Sequence, residues 1–175
     1  MPTNTDVKVK VVDGNIKASD LNGILKLKTI DGDLKIKNCT GPMKLGTVDG
    51  DIKGFDCKGK IDTDTVDGDV KVSGVFNGIF FKSVDGEGDF LLQEGSQLTE
   101  DCTLRSVDGD ISLEIPEDLE FKLDFRAHDG DISFSGLDFK NVTLKKDNRF
   151  KGERGNAKYT IQVRSTDGDL SLKEL

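Results

Sequence analysis

The residues best suited to chemistry are acids beside glycine. Asp-Gly recurs at Asp13-Gly14, Asp31-Gly32, Asp49-Gly50, Asp67-Gly68, Asp85-Gly86, Asp108-Gly109, Asp129-Gly130 and Asp167-Gly168, with a second acid after the glycine at Asp33, Asp51, Asp69, Glu87, Asp110, Asp131 and Asp169. Stacked carboxylates of this kind can bridge a hard cation through oxygen ligands. The same acids can bond the backbone of their own turn. The spacing does not reproduce the GGxGxD pattern of a calcium-binding roll, nor a twelve-residue EF-hand loop. Turn capping is therefore the default reading, and calcium stays an open alternative. Paired carboxylates for acid–base work are repeated everywhere, so no pair is marked as catalytic. The single histidine, His128, occupies the slot that Val holds in earlier repeats, where a partly buried structural imidazole is expected. One His supplies neither a second imidazole for a metal site nor a recognisable triad with Ser or Cys. Cys39, Cys57 and Cys102 form no CxxC pair, which disfavours a disulfide framework and a four-cysteine zinc site. No catalytic, cofactor-binding or metal-binding residue is assigned.

What positions these groups is an internal repeat. The Asp-Gly glycines are separated by 18, 18, 18, 18, 23, 21 and 38 residues, with Asp147-Asn148 falling inside the last interval. Weaker turns lie midway at Asn22-Gly23, Thr40-Gly41, Lys58-Gly59 and Asn77-Gly78. The unit is about nine residues, used twice per coil. Two and four residues after each early glycine the chain is almost always apolar, as at Leu25/Leu27, Leu34/Ile36 and Met43/Leu45, with polar residues between. That is the period-2 pattern of a strand buried on one face, and a helical period is absent. A third apolar position, seven after the glycine, holds Leu21, Ile30, Cys39, Val48, Cys57, Val66 and Val75 and is expected to return inward at a corner.

A meander of hairpins also uses Asp-Gly turns. The constant phase, with like residues at like positions 18 apart, favours a parallel coil instead. The expected fold is all-β: a single-stranded β-solenoid of about 18-residue coils forming one domain over 1–175, regular over 7–84, wider and more irregular over 85–175. Such a coil gains its ladder bonds from neighbouring turns, so a thin core suffices. This accounts for a chain with 34% apolar residues, 6% aromatic residues and 20 Gly. Cys39 and Cys57 fall on adjacent coils, where parallel Cβ vectors suit two buried thiols better than a disulfide. In the less regular half, strands are expected within 119–126 and 159–164, and loops at Pro116–Asp118 and Lys151–Asn156.

The net charge of −8 is uneven: residues 1–84 carry +1 and residues 85–175 carry −9. Neither half offers the basic footprint of a nucleic-acid binder. Lys17, Lys26, Lys35, Lys44, Lys53 and Lys71 form an outward column beside the acidic one, read as a solvated, aggregation-resistant face, with binding of an anionic polymer as the alternative. No run is apolar and long enough for a membrane helix, and the amino terminus lacks a signal-peptide pattern.

Thr47-Val48-Asp49-Gly50-Asp51-Ile52, Ser106-Val107-Asp108-Gly109-Asp110-Ile111, the span Arg105–Pro116 and the segment Tyr159–Leu172 together resemble the bacterial adhesin-like family also called domain of unknown function 4097. The resemblance implies a β-solenoid of envelope proteins, with no catalytic residues to carry over, Tyr159–Leu172 being its closing coil. Family members carry an export signal or anchor ahead of the repeats. Its absence here reads as an excised piece or a cytoplasmic relative. The expected function is a non-enzymatic scaffold or interaction module for a protein or cell-surface glycan. A bactofilin-like self-assembling protein, joined through its end coils, and a β-helix polysaccharide-cleaving enzyme are the two alternatives.

Overall fold

The computed structural model describes residues 5–146 and 148–175. All the regular structure among them is β, in sixteen strands. In the amino-terminal half these are β1 (Val7–Lys10), β2 (Ile16–Ser19), β3 (Leu25–Lys28), β4 (Leu34–Lys37), β5 (Met43–Gly46), β6 (Ile52–Asp64), β7 (Val70–Lys82) and β8 (Gly88–Leu92). The rest are β9 (Cys102–Arg105), β10 (Ile111–Ile115), β11 (Phe121–Arg126), β12 (Ile132–Ser135), β13 (Lys140–Lys146), β14 (Arg149–Arg154), β15 (Thr160–Arg164) and β16 (Leu170–Glu174).

Strands pair in parallel at an offset of 18: Val7 with Leu25, Leu25 with Met43, Ile16 with Leu34, Leu34 with Ile52. Each coil contributes one strand to a face A (β1, β3, β5, the second half of β6, of β7, then β9) and one to a face B (β2, β4, the first half of β6, of β7, then β8 and β10). The alternating strands turn Leu25, Leu27, Leu34, Ile36, Met43, Leu45 and Ile52 into one continuous core that extends to Leu172. The parallel coil is thus the observed architecture.

The order of the coils departs from the order of the chain. β15 lies between β9 and β11 on face A, and β16 lies between β10 and β12 on face B. The carboxyl-terminal segment therefore fills an interior slot that β9–β10 and β11–β12 leave open; it is not the closing coil. The Asp-Gly corners stack accordingly: Asp167 N–H donates to Val107 O, and Asp129 N–H donates to Thr166 O. The end of face A is closed by β14, antiparallel to β11, and by β13, antiparallel to β14. Phe121, Phe134, Phe139 and Phe150 pack edge-on or tilted beneath this hairpin, with ring centroids 4.7–5.9 Å apart.

The second half is less regular than the first, as the sequence leads one to expect: its 23-residue step keeps the strand register while the extra residues lie outside the ladder between β8 and β9. Most of 151–156 is strand β14, paired along its length with β11, where a loop is expected from the sequence. The 38-residue interval holds the hairpin instead of a further coil, and Asp147 lies outside the described residues. The strands within 119–126 and 159–164, and the turn after Pro116, stand where the sequence places them.

Candidate interaction surface

The two corners of each coil use different chemistry. At the corner from B to A, Asp20, Asn38 and Asp56 adopt φ of 57°, 51° and 53°, a left-handed conformation that Asn and Asp tolerate better than most residues. Asn38 Nδ2 donates to Asp20 Oδ1 at 2.7 Å. Cys39 and Cys57 follow, fully buried and free, and Cys102 is also buried and free. Loss of solvent around the sulfur pushes the Cys57 and Cys102 thiols up to about 11. All three thiols are accordingly expected to resist a thiol reagent at pH 8 in the native protein and to react together after denaturation, a count read directly from the released chromophore. Prompt reaction of even one in the native state would contradict this packing.

At the corner from A to B the residue three before the glycine is a buried hydroxyl in five of the eight coils, Thr29, Thr47, Thr65, Ser83 and Ser106, with Val11, Ala127 and the half-buried Ser165 in the others. Thr29 and Thr47 donate to Gly14 O and Gly32 O of the preceding coil. From Ser83 onward the turn changes. The N–H of Gly86, Gly109 and Gly168 donates to Ser83, Ser106 and Ser165 Oγ at 2.8–2.9 Å, and these glycines have no positive φ. The recurring Thr or Ser was visible in the sequence, and its periodicity is the signal that would have identified it. Ser106→Ala leaves a buried Gly109 N–H without its acceptor and is expected to cost about 1–3 kcal/mol, read as a lower thermal midpoint.

The acid after each glycine serves the ladder. Asp33, Asp51, Asp69, Asp110 and Asp169 each accept, at 2.8–3.2 Å, the backbone N–H of the equivalent residue on the next coil. Asn15 does the same for Asp33 at 2.7 Å. Lys53 holds Asp51 below the usual carboxylate range, against the opposing effect of burial. With this row engaged by backbone donors, chelator or added calcium is expected to move the melting temperature by less than about 1 °C; a rise of several degrees with calcium would make these acids metal ligands.

The acid before each glycine is exposed, and so is the residue preceding it. Val12, Ile30, Val48, Val66, Val84 and Val107 are 37–61% exposed, which corrects the expectation that Ile30, Val48 and Val66 return inward. The corner is too tight to bury this residue as well as the Thr or Ser before it. The inward role passes to that hydroxyl on this side of the coil and to Cys39 and Cys57 on the other. His128 follows the valines outward, so the partly buried imidazole is likewise corrected. Its Nδ1 lies 3.2 Å from Asp129 Oδ2, and with Asp167 it forms a group whose ligand atoms all fall within 4.8 Å of one another. All three residues are exposed. Beside the apolar line, a groove of about 400 Å³ runs over the first four coils between Lys10 and Lys28 on one wall and Val12, Ile30, Val48 and Val66 on the other, deepened by the missing side chain at Gly46.

The stacked Thr/Ser-Val-Asp-Gly-Asp corners find their counterpart in a family model described as Toastrack DUF4097, which matches residues 4–173. The chain belongs to this family. No curated protein and no solved structure matches it. The Toastrack match spans all eight coils and the hairpin, so the inserted segment β15–β16 lies within the region that the family model covers. Among the described residues, no helix is long and apolar enough to cross a membrane.

Proposed function

We propose that this Toastrack chain is a non-enzymatic, adhesin-like interaction module of a bacterial cell envelope, a rigid ladder that presents repeated outward rows to a partner. The observation that carries this reading is the line of six exposed aliphatic side chains at the A-to-B corner, at a position where the fold does not demand them. A single exposed valine needs no explanation, but a contiguous apolar line marks an interaction surface. The acids that follow each glycine support the ladder through backbone bonds, which gives them a structural task. Incubation with polysaccharide, peptide and phosphoester substrates is expected to leave them unaltered, and turnover of any of them would overturn the reading.

Self-assembly into filaments of the bactofilin kind requires two open end coils. The β14–β13 hairpin covers one end of face A with antiparallel strands and an aromatic cluster, which opposes end-to-end growth there. Light scattering is expected to report a size that does not grow with concentration.

A further inference from the structure

On face A the last outward residue before each corner forms a row of its own. Cross-strand partners place Lys82, Arg105, Arg164, Arg126, Arg149 and Lys146 side by side on six adjacent strands. Five strand spacings give the row a length of about 24 Å. Four of the chain's five arginines stand in it, and the first 104 residues contain none. This concentration occurs in the half of the chain that carries a net charge of −9.

Like charges directly opposite one another destabilise a sheet. Elsewhere on the faces such charges are offset in part: Lys44 meets Asp62 and Lys53 meets Asp51 at 2.8 Å, and Lys60 meets Glu100 at 2.8 Å, while Lys8 faces Lys26 and Lys17 faces Lys35 with no ion pair among the described residues. For the basic row one carboxylate, Asp124, which stands with Gln162 and Lys151 in the adjoining row, serves Arg164 and Arg126 as well as Lys151, each at 3.3 Å. Burial would raise the Asp124 carboxyl, but Arg164 and Lys151 outweigh it and hold it below the usual range. Lys82 and Arg105 have no ion pair among the described residues. The fold thus carries a repulsion that it does not relieve.

We propose that this row binds a linear acidic polysaccharide bearing a carboxylate on each sugar. This rests on the scaffold reading above and names its partner. A guanidinium presents a planar fork of donors that matches a carboxylate, which explains arginine where the other columns use lysine. The adjoining outward row offers Phe80, Thr103 and Gln162 in register, an aromatic ring and two neutral hydrogen-bonding groups suited to sugar faces and hydroxyls. On the other side, across the corner, stand Asp85, Asp108, Asp167 and Asp129. A basic strip one residue wide beside an acidic one accepts a thin chain with charge along a single line. It repels a nucleic-acid duplex, whose second strand of phosphates would meet the aspartates.

The test is titration of the whole chain with polygalacturonate in about 20 mM salt, where exposed charges are weakly screened, with neutral dextran as control. Binding is expected to polygalacturonate alone and to weaken steeply with salt. Arg105→Gln combined with Arg149→Gln is expected to lower affinity at least tenfold without lowering the melting temperature, and Lys17→Gln with Lys35→Gln on face B to change the affinity less than twofold. Equal losses in the two double variants would reduce the effect to net charge and overturn the assignment. So would tighter binding to a single-stranded oligonucleotide or to anionic vesicles. If the polymer neither binds nor changes in length, the glycan assignment fails and the scaffold reading stands. If the polymer is shortened, the scaffold reading itself fails.

Discussion

A chain ending at residue 159 is expected to lose cooperative unfolding in its second half, whereas a chain lacking the first coil, residues 1–22, unfolds as one unit at a somewhat lower temperature. Each deletion removes two strands. In a solenoid stacked in chain order the two would be equivalent, because stability accumulates from nearest-neighbour contacts and either end coil has one neighbour. Here β1 and β2 each have one neighbour, while β15 and β16 each have two. Removing 160–175 withdraws the buried Ile161, Val163, Leu170 and Leu172 from between two layers of core. It also strands Asp124 without Arg164, and Arg154 without the Glu174 carboxylate that it holds. The coils on either side of the slot would stand about 9.6 Å apart, twice a strand spacing, and both would present unpaired edges. A synthetic peptide of residues 157–175 is therefore expected to bind the shortened chain and restore its cooperative transition, as strand addition to an open edge does. Full cooperativity of the shortened chain with no response to the peptide would mean that β11 had closed directly onto β9, and the interior placement of β15 would then carry no energetic weight.

Gly50→Ala is expected to destabilise the protein by about 3 kcal/mol or more, and Gly14→Ala by about 1 kcal/mol. Both glycines have positive φ, 139° and 123°, so both substitutions incur the strain of placing a side chain in that region, on the order of 1–3 kcal/mol. Only Gly50 has a coil stacked against the place where the new methyl must go. A Cβ there would overlap the Gly32 carbonyl oxygen, a backbone atom that cannot swing aside, whereas at Gly14 the nearest atom is the Val11 side chain at 3.9 Å. The difference between the two variants isolates the close approach of successive corners from the conformational strain they share. At about 2–4 °C per kcal/mol for a chain of this size, it should separate their melting temperatures clearly. Equal shifts would mean that the corners are stacked more loosely than the ladder of corner bonds requires.

The repeat makes much of this architecture legible in the sequence. The 18-residue register, the inward Leu34, Ile36 and Ile52, and the stacked Cys39 and Cys57 all follow from alternation within one coil, because a strand's two faces are set by local pattern alone. The strength of the Thr/Ser-Val-Asp-Gly-Asp signal also misled at one point. An apolar residue at a corner looks inward to a pattern, yet Ile30, Val48 and Val66 point out, because the tight turn has room inside for only one of two neighbours and the buried hydroxyl with its backbone bonds occupies it. The left-handed Asp20, Asn38 and Asp56 were equally available at their 18-residue spacing, but an acidic or amide side chain there reads first as polar surface.

Which coil lies on which is a different kind of information. The corners at Gly109 and Gly168 close on a serine hydroxyl and that at Gly130 has Ala127 in its place, yet all three rest on the preceding glycine carbonyl with the same close approach, so nothing local to a coil names its neighbour. That choice was made by long-range pairing: β15 and β16 gain two edges each by entering the slot, where a position at the end would offer them one. The basic row depends on the same choice, since Arg105, Arg164 and Arg126 are consecutive only in space. Local alternation determined the shape of the coil and the residues it buries; the competition among equivalent edges for the most hydrogen-bonded partners determined the order of the coils, and with it the surface the protein presents.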